Sequence, residues 1–299
     1  MQKYSIFNLV KNAFSGHQNW DLAWKDPTPK KEYDVVIIGG GGHGLATAYY
    51  LAKEHNITNV AIIEKGWIGG GNVGRNTTII RSNYMHDDNA LFSEFGMDLW
   101  RKMSQDLNYN VMFSPRGIIN LAHSDAQMNV YARRGNSMRL NGIDAVLLNR
   151  EQVKEIIPMA DFSENVRFPI FGGLMQPSAG TARHDAVAWG YARQADSMGV
   201  DIIQNCEVTG FDVSGGKING VRTSRGDIKV KKIGLCVAGS TNVLAEKLNM
   251  TLPIETHLLQ ACVSEPVKPI LDRVVTFGAG HFYISQSDKG EMVMGGDLD

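Results

Sequence analysis

The chain has 299 residues, of which 43% are hydrophobic, so it can bury a large core, and we expect two lobes. The formal net charge is -1 and no long run of like charge occurs, which argues against a nucleic acid or membrane partner and favours small molecules or proteins. The cysteines, Cys206, Cys236 and Cys262, lie far apart, so we predict no disulfide framework, no metal site and a reducing, cytoplasmic location.

Residues 1–33 are predicted to form an N-terminal arm. They contain no continuous apolar stretch, which excludes a secretory signal or a membrane span in this segment. Trp20 and Trp24 are spaced like two residues on one face of a helix. Two interpretations stay open: the indoles pack on the chain's own domain, or they dock onto another subunit.

Residues 34–64 have the order strand, glycine-rich turn, helix and strand. The apolar run 35–38 is typical of a strand buried on both faces, and Gly39, Gly41 and Gly44 follow with the spacing G-x-G-x-x-G. A second apolar strand ends on Glu64, about 20 residues past the last glycine, where dinucleotide folds place a carboxylate for the ribose hydroxyls.

Each glycine of this motif has a physical role in binding a dinucleotide. Gly39 permits the tight turn, Gly41 lets backbone N–H groups approach the pyrophosphate, and Gly44 lets the helix pack closely. The phosphates would lie at the positive end of the helix dipole. The alternative is an ordinary strand–helix turn with an exposed Glu64.

A second glycine-rich segment covers residues 65–81. Glycines at this density suit a chain that passes close to a flat ring system, and Asn72, Arg75, Asn76 and Thr77 supply hydrogen-bond donors. The alternative is a flexible surface loop.

The remaining elements are predicted from periodicity. We expect a helix over 89–107 that packs through residues at helical spacing, Leu91, Phe92, Phe95, Leu99 and Met103. A second helix is expected to begin near His184 and to stop at Gly199. An antiparallel meander is predicted at 207–213, 217–223 and 227–230, followed by a separate sheet strand at 233–239. A long strand is predicted over 253–266, and the segments 281–286 and 291–296 form a hairpin. The chain then ends without a closing helix, so we expect a fragment of a longer protein.

The motifs together resemble the FAD-dependent amine and amino-acid oxidases. The segments 39–51, 75–84 and 184–189 are most similar to the β subunits of heterotetrameric sarcosine oxidases, and the resemblance extends from about residue 34 to 299. It implies non-covalent FAD, a covalent FMN at His184, an α subunit with γ and δ subunits, and tetrahydrofolate served by the complex. The assigned cofactor-binding residues are Gly39, Gly41, Gly42, His43, Gly44, Glu64, Asn72, Arg75, Thr77, Ile79 and Val208.

The resemblance also implies the reaction. Sarcosine would pass a hydride equivalent to FAD, leaving glycine with formaldehyde or 5,10-methylenetetrahydrofolate, and electrons would pass through FMN to oxygen, giving hydrogen peroxide. Arg75 and Arg81 are candidates for holding the substrate carboxylate, and Arg75 is preferred as a flavin contact. The catalytic residues are unknown, because the family's β subunits continue past this end with a glycine-rich segment near the flavin ring and a lysine implicated in oxygen chemistry.

The predicted fold is α/β: a Rossmann-like FAD-binding domain with a β-meander, plus a mixed-sheet substrate domain whose C-terminal part is missing. The FAD domain is assigned to 34–116 and 176–250, and the substrate domain to 117–175 and 251–299. Two alternative functions stay open. One is another flavin-dependent N-methyl amino-acid or glycine oxidase, and the other is a truncated, non-catalytic flavin-binding assembly subunit.

Overall fold

A computed structural model describes residues 5–18, 22–163, 165–278 and 282–296. They divide into two compact units. The first comprises 1–76, 105–111 and 184–256, and the second comprises 77–104, 112–183 and 257–299.

The helices are α1 Ile6–Phe14, α2 Gly42–His55, α3 Asp87–Asp106, α4 Asp125–Leu140, α5 Arg150–Ile156, α6 His184–Ser197 and α7 Thr241–Glu246. The strands are β1 Glu32–Ile38, β2 Val60–Ile63, β3 Ile79–Ile80, β4 Ile118–Ala122, β5 Val146–Asn149, β6 Gly172–Gln176, β7 Gly180–Thr181, β8 Asp201–Ile203, β9 Val208–Ser214, β10 Lys217–Thr223, β11 Ile228–Leu235, β12 Gln260–Val263, β13 Val274–Phe277, β14 Phe282–Gln286 and β15 Met292–Gly296.

The first unit is built on a six-stranded sheet in the order β8-β2-β1-β11-β10-β9. The strands β8, β2, β1 and β11 run parallel, and β11, β10 and β9 form the antiparallel meander. Val36 and Ile38 pack in one core cluster with residues of the meander, while Ile37 on the opposite face is also fully buried. Burial of β1 on both faces confirms the predicted parallel-sheet strand.

The second unit is built on a seven-stranded mixed sheet in the order β12-β15-β14-β13-β4-β6-β5. One cluster includes Leu121 of β4 with Val153 of α5, and another joins Tyr131 and Met138 of α4 to Leu174 of β6. Helices therefore cover this sheet through apolar side chains, as a mixed α/β architecture requires. A separate two-stranded ladder pairs β3 with β7.

The predicted third meander strand and the separate return strand are one element, β11. Ile228 and Val230 are buried while Lys229 and Lys231 are exposed, so the lysines occupy the solvent side of an unbroken strand. The expected break at 231–232 is therefore wrong. The expected long strand over 253–266 is also wrong, because only Gln260–Val263 pairs, as an edge strand along β15.

The predicted helix at 89–107 exists as α3, but its expected packing face is correct only at its C-terminal end. Met103 is buried as predicted and Leu99 is half-buried, whereas Leu91, Phe92 and Phe95 are exposed, and Ala90 and Met97 are buried instead. The spacing of the apolar residues located the helix. The face that is buried, however, consists of the small side chain of Ala90 and the flexible side chains of Met97 and Met103.

The N-terminal arm contains α1, which the analysis of the sequence did not predict. Trp24 lies outside any helix, so the predicted helical pair is not formed at that residue, and Trp20 lies outside the described residues. His281 at the start of the predicted hairpin also lies outside them. The strand β13 and the helix α7 were not predicted either.

Within the described ranges, the structure has no helix that combines the length and the apolar character needed to cross a membrane.

The compact units have different boundaries from the expected domains. Residues 77–104, which were assigned to the FAD domain, belong to the second unit, and the later boundary falls after Arg183 rather than after residue 175. With these boundaries, β3 and β7 belong to the same unit. The two strands pair with each other, so residues 79–80 and 180–181 are joined by hydrogen bonds of one ladder. The assignment of FAD and substrate roles to the two units stays a prediction.

Candidate functional site

The first turn of the glycine motif joins β1 to α2. The N–H of Gly39 donates to the Ile63 carbonyl at 2.8 Å, and Gly39 has a φ of +107°, which side chains other than hydrogen rarely tolerate. A Cβ at this position would lie 2.3 Å from the carbonyl oxygen of Cys236 on the neighbouring strand. Glycine is therefore required here by the turn and by its neighbour. Burial raises the pKa of the Cys236 thiol, which keeps this side chain neutral beside the turn.

The helix α2 starts at Gly42 and lies very close to the turn. A Cβ on Gly44 would be 2.0 Å from the carbonyl oxygen of Gly39 and 3.3 Å from a methyl group of Ile37. The predicted close packing at Gly44 is therefore present, and the main obstacle is the backbone of the turn itself.

Open space lies above the middle of the motif. Among the described residues, a Cβ on Gly41 would have one atom within 4 Å, a methyl carbon of Val73 at 3.8 Å, and for Gly42 the same carbon is at 3.5 Å. His43 is exposed in the first turn of α2. Backbone N–H groups at the start of a helix carry partial positive charge, so this space suits a pyrophosphate.

The carboxylate of Glu64 lies beside the glycine turn. Its Oε2 accepts a hydrogen bond from the Gly40 N–H at 2.8 Å, and its Oε1 accepts one from the Gly66 N–H at 2.8 Å. The parallel register that pairs Ile38 with Ile63 brings the two strand ends together. An anionic acceptor at the carboxyl end of the second strand is the arrangement by which this fold class holds ribose hydroxyls.

We predict that Glu64→Ala raises the dissociation constant of FAD by at least about 10-fold, because charge-assisted hydrogen bonds contribute about 1.5–3 kcal/mol each. Glu64→Gln removes the negative charge and keeps the shape of the side chain, so it shows how much of the lost FAD affinity is due to the charge. Its amide keeps one oxygen that can accept from the Gly40 or the Gly66 N–H group. Glu54→Ala, at an exposed position of α2, is the matched control. Titration of the apoprotein with FAD measures all three variants, and an unchanged affinity in Glu64→Ala would rule out the ribose contact.

The glycine-rich segment after β2 folds into a compact loop. Residues Asn72–Arg75 form a 3-10 helix, and a Cβ on Gly74 would be 2.5 Å from the carbonyl oxygen of Gly69. A Cβ added at Gly69 would lie 3.8 Å from the methyl group of Ala188 on α6. The backbone of the loop therefore approaches itself closely at Gly69 and Gly74, although many of its residues are exposed. The predicted donors on Asn72 and Arg75 are exposed on it.

Thr77 and Ile79, two further predicted cofactor residues, belong to the second unit. Between them, Thr78 has a φ of +66°, an uncommon and costly conformation for a β-branched residue. Its carbonyl accepts a hydrogen bond from the Ala182 N–H at 3.2 Å. Backbone strain of this kind is concentrated at functional sites. The positive φ of Thr78 could not be predicted from the sequence.

Val208 is the predicted cofactor residue with the least free surface. Its side chain is buried in the core of the first unit with Cys206 and Phe211. The preceding segment passes Glu64, since the Cys206 N–H donates to the Glu64 carbonyl at 2.9 Å. Only the backbone of Val208 is available for contact with a cofactor.

His184 is the first residue of α6, as the sequence predicted. Its side chain is half-buried, and the Nδ1 atom is buried without a hydrogen-bond partner among the described residues. Buried polar atoms are usually paired, so an unpaired ring nitrogen calls for an explanation. Arg183, a weaker candidate for holding the FMN phosphate, lies 3.5 Å from the Asp288 carboxylate.

Arg81 follows β3 in the second unit and is held by two neighbours. Its Nη1 donates to the side-chain oxygen of Asn83 at 2.7 Å, and its guanidinium lies over the ring of Tyr84 at 4.5 Å. A planar, fixed guanidinium suits recognition of a carboxylate. Arg75 and Arg81 therefore belong to different units, and the first is exposed on the glycine-rich loop.

Comparison with known proteins identifies relatives over nearly the whole chain. The chain is 60% identical over 297 residues to the sarcosine oxidase subunit beta of Rhizobium meliloti (strain 1021), covering 99% of this chain and 71% of the relative. It is 52% identical over 299 residues to the sarcosine oxidase subunit beta of Rhodobacter capsulatus, covering 100% of this chain and 72% of the relative.

Solved structures agree with this fold. The L-proline dehydrogenase from P. horikoshii matches with a TM-score of 0.84 and 27% identity, over 90% of this chain and 71% of that one. The glycine oxidase from Bacillus cereus matches in fold with a TM-score of 0.74 at 21% identity, over 89% of this chain and 73% of that one. The family model described as FAD dependent oxidoreductase matches residues 34–299. The chain therefore belongs to the FAD dependent oxidoreductase family, as a flavin-dependent amine oxidoreductase of the group of sarcosine oxidase β subunits.

Proposed function

We propose that this chain oxidises sarcosine to glycine. In the balanced reaction, sarcosine, oxygen and water give glycine, formaldehyde and hydrogen peroxide, and with tetrahydrofolate in place of water the one-carbon product is 5,10-methylenetetrahydrofolate. The observation that carries the proposal is a Glu64 carboxylate set against the glycine turn, in a chain 60% identical to a protein named for sarcosine oxidation.

FAD, when bound, supplies the acceptor for the hydride of the N-methyl group. The chain's residues supply binding and orientation. Gly41 and Gly42 leave room for the pyrophosphate at the start of α2, and Glu64 accepts the ribose hydroxyls. Asn72, Arg75, Thr77 and Ile79 are proposed contacts from the loop and its continuation.

Arg81 is proposed to hold the substrate carboxylate. The stacking on Tyr84 and the hydrogen bond to Asn83 fix the plane of its guanidinium, so little side-chain entropy is lost when a carboxylate binds. Fixing the carboxylate orients the amine and its methyl group relative to a flavin, which contributes to rate through positioning.

His184 is the proposed attachment residue for a covalent FMN, which would carry electrons onward to oxygen. A covalent bond requires a neutral imidazole nitrogen as nucleophile. The half-buried ring with an unpaired Nδ1 supports this assignment, because no described protein group engages that nitrogen.

The name "subunit beta" of the relatives supports a multi-subunit assembly for this chain. We propose α, γ and δ partners, tetrahydrofolate as a co-substrate of the complex, and a cytoplasmic location in one-carbon metabolism. An assembly subunit without catalytic activity is the alternative, and it predicts that sarcosine does not reduce the flavin.

The proposal is tested by adding sarcosine anaerobically to the purified flavoprotein, assembled with its partner subunits. We predict bleaching of the flavin absorption band. In Arg81→Gln, half-maximal bleaching should require at least about 10-fold more sarcosine, because a charge-assisted contact is lost. Arg139→Gln is the control, because Arg139 is exposed on α4 and its side chain donates to the Ala145 carbonyl. A band that sarcosine leaves unchanged would contradict the proposed function.

A further inference from the structure

A second arginine, Arg134 of α4, approaches the segment that carries Arg81. Its Nε donates to the backbone carbonyl oxygen of Asn83 at 2.5 Å, and its Nη2 donates to the same oxygen. Arg134 is partly buried, and no carboxylate of the described residues forms an ion pair with it. A partly desolvated cation without a counter-charge is costly, so its retention calls for a reason.

Asn83 links the two arginines. It is fully buried; its backbone carbonyl accepts from Arg134, and its side-chain oxygen accepts from Arg81 at 2.7 Å. The amide group of Asn83 donates to the side chain of Asn120 at 2.7 Å, and Asn120 donates to the hydroxyl of Thr276. Asn83 is therefore held through its backbone carbonyl by Arg134 and through its side-chain amide by Asn120. Because Arg81 donates to the Asn83 side-chain oxygen, these contacts also fix the position of Arg81.

The neighbouring residue Ser82 is fixed in the same way from the other side of the chain. Its N–H donates to the side-chain oxygen of Gln176 at 3.0 Å, and its hydroxyl donates to Glu94 at 2.6 Å. The backbone on which Arg81 stands thus has little freedom. Among the described residues of this set, Arg81 and Arg134 are charged side chains that form no ion pair with a carboxylate, whereas Glu94 is paired with Arg101.

The two guanidinium groups repel each other. Burial lowers the pKa of Arg134, and the positive charge of Arg81 lowers it further. The residues that contact the two guanidinium groups, Asn83 and Tyr84, carry no negative charge, and the Glu94 carboxylate lies against the Ser82 hydroxyl and Arg101 instead. Two cations on one asparagine, with no carboxylate paired to either among the described residues, create a positive potential that an incoming anion would neutralise.

We propose that Arg134 is a positioning and specificity-determining residue, which clamps Asn83 so that Arg81 faces the substrate and which makes the site selective for amines that carry a carboxylate. The proposal rests on the proposed function of Arg81. Arg134 is not assigned a contact with the substrate, because its Nε and Nη2 atoms both donate to the Asn83 carbonyl, which makes its role the positioning of Asn83.

The test compares an anion and a neutral molecule of the same shape, acetate and acetamide, as ligands of the oxidised holoprotein assembled with its partner subunits. Perturbation of the flavin spectrum reports each dissociation constant. In Arg134→Met, which keeps much of the side-chain volume, the dissociation constant for acetate should rise about 10-fold or more, while that for acetamide stays the same. Arg134→Lys should show a smaller rise, because the charge remains and the two-donor clamp is lost.

Arg133→Met is the matched control, since Arg133 is the exposed neighbour on the same helix. Acetate binding in Arg134→Met that equals the control would overturn the proposal, as would equal losses for acetate and acetamide. If Arg134→Met does not fold, Arg134→Lys decides in the same way. Failure of wild-type protein to be reduced by sarcosine would refute the proposed reaction and leave this comparison of anion binding intact.

Discussion

Gly41→Val is expected to give a folded protein that retains no FAD. The space beside Gly41 is open, with a methyl group of Val73 at 3.8 Å as its nearest atom, so a valine side chain meets little resistance from the protein. That side chain would occupy the space through which a pyrophosphate reaches the backbone N–H groups at the start of α2. The fold should survive while the cofactor is lost.

Gly96→Val on α3 is the matched control, because no described atom outside the backbone of α3 would lie within 4 Å of a Cβ added at Gly96. Flavin content per chain after purification and the thermal midpoint are measured for both variants. We expect unchanged flavin in the control and none in Gly41→Val, with comparable melting. Copurification of Gly41→Val with stoichiometric FAD would show that the turn does not bind the cofactor.

His184→Ala is expected to abolish the covalent flavin completely. The proposed bond uses a ring nitrogen of His184, and alanine has no nucleophile to replace it. In wild-type protein, assembled with its partner subunits, acid denaturation and digestion should leave flavin fluorescence on the peptide that contains His184. His55→Ala, at the exposed end of α2, should behave like the wild type.

Two outcomes would contradict the assignment of His184. One is the release of every flavin from the wild-type protein by acid, and the other is flavin fluorescence that remains on a peptide without His184. Either result would mean that His184 only begins α6. The unpaired Nδ1 would then need another explanation.

The dinucleotide unit could be predicted from sequence because its determinants are local. The run Val35–Ile38 needs burial on both faces, and the glycines follow it at a fixed spacing that only backbone geometry explains. Glu64 was placed at the turn by counting residues, and the structure brings its carboxylate within 2.8 Å of the Gly40 N–H. Local pattern and tertiary contact agree here.

Features that depend on distant partners could not be predicted. Which face of α3 is buried follows from the neighbours of Ala90 and Met97, and the aromatic residues Phe92 and Phe95 misled the assignment. The expected break in β11 falls at Lys231 and Lys232, which are both exposed, yet the strand continues through them because it pairs with β1 along its length.

The candidate site was predicted in part. The turn residues lie together, whereas Thr77 and Ile79 belong to the second unit and Val208 offers only its backbone. The strain at Thr78 and the clamp of Arg134 on Asn83 were missed, since both arise from contacts between segments far apart in sequence. Hydrogen bonds to backbone carbonyls leave no residue pattern from which they could be inferred.

The most direct test of FAD binding by this chain is the identification of its dissociable flavin. Purified protein is denatured in acid, and the released flavin is separated by chromatography and quantified against chain concentration. We predict one FAD per chain in the soluble fraction, separate from any flavin that stays on the polypeptide. Release of no FAD from protein that is folded before denaturation, or release of a different dinucleotide in its place, would contradict the assignment.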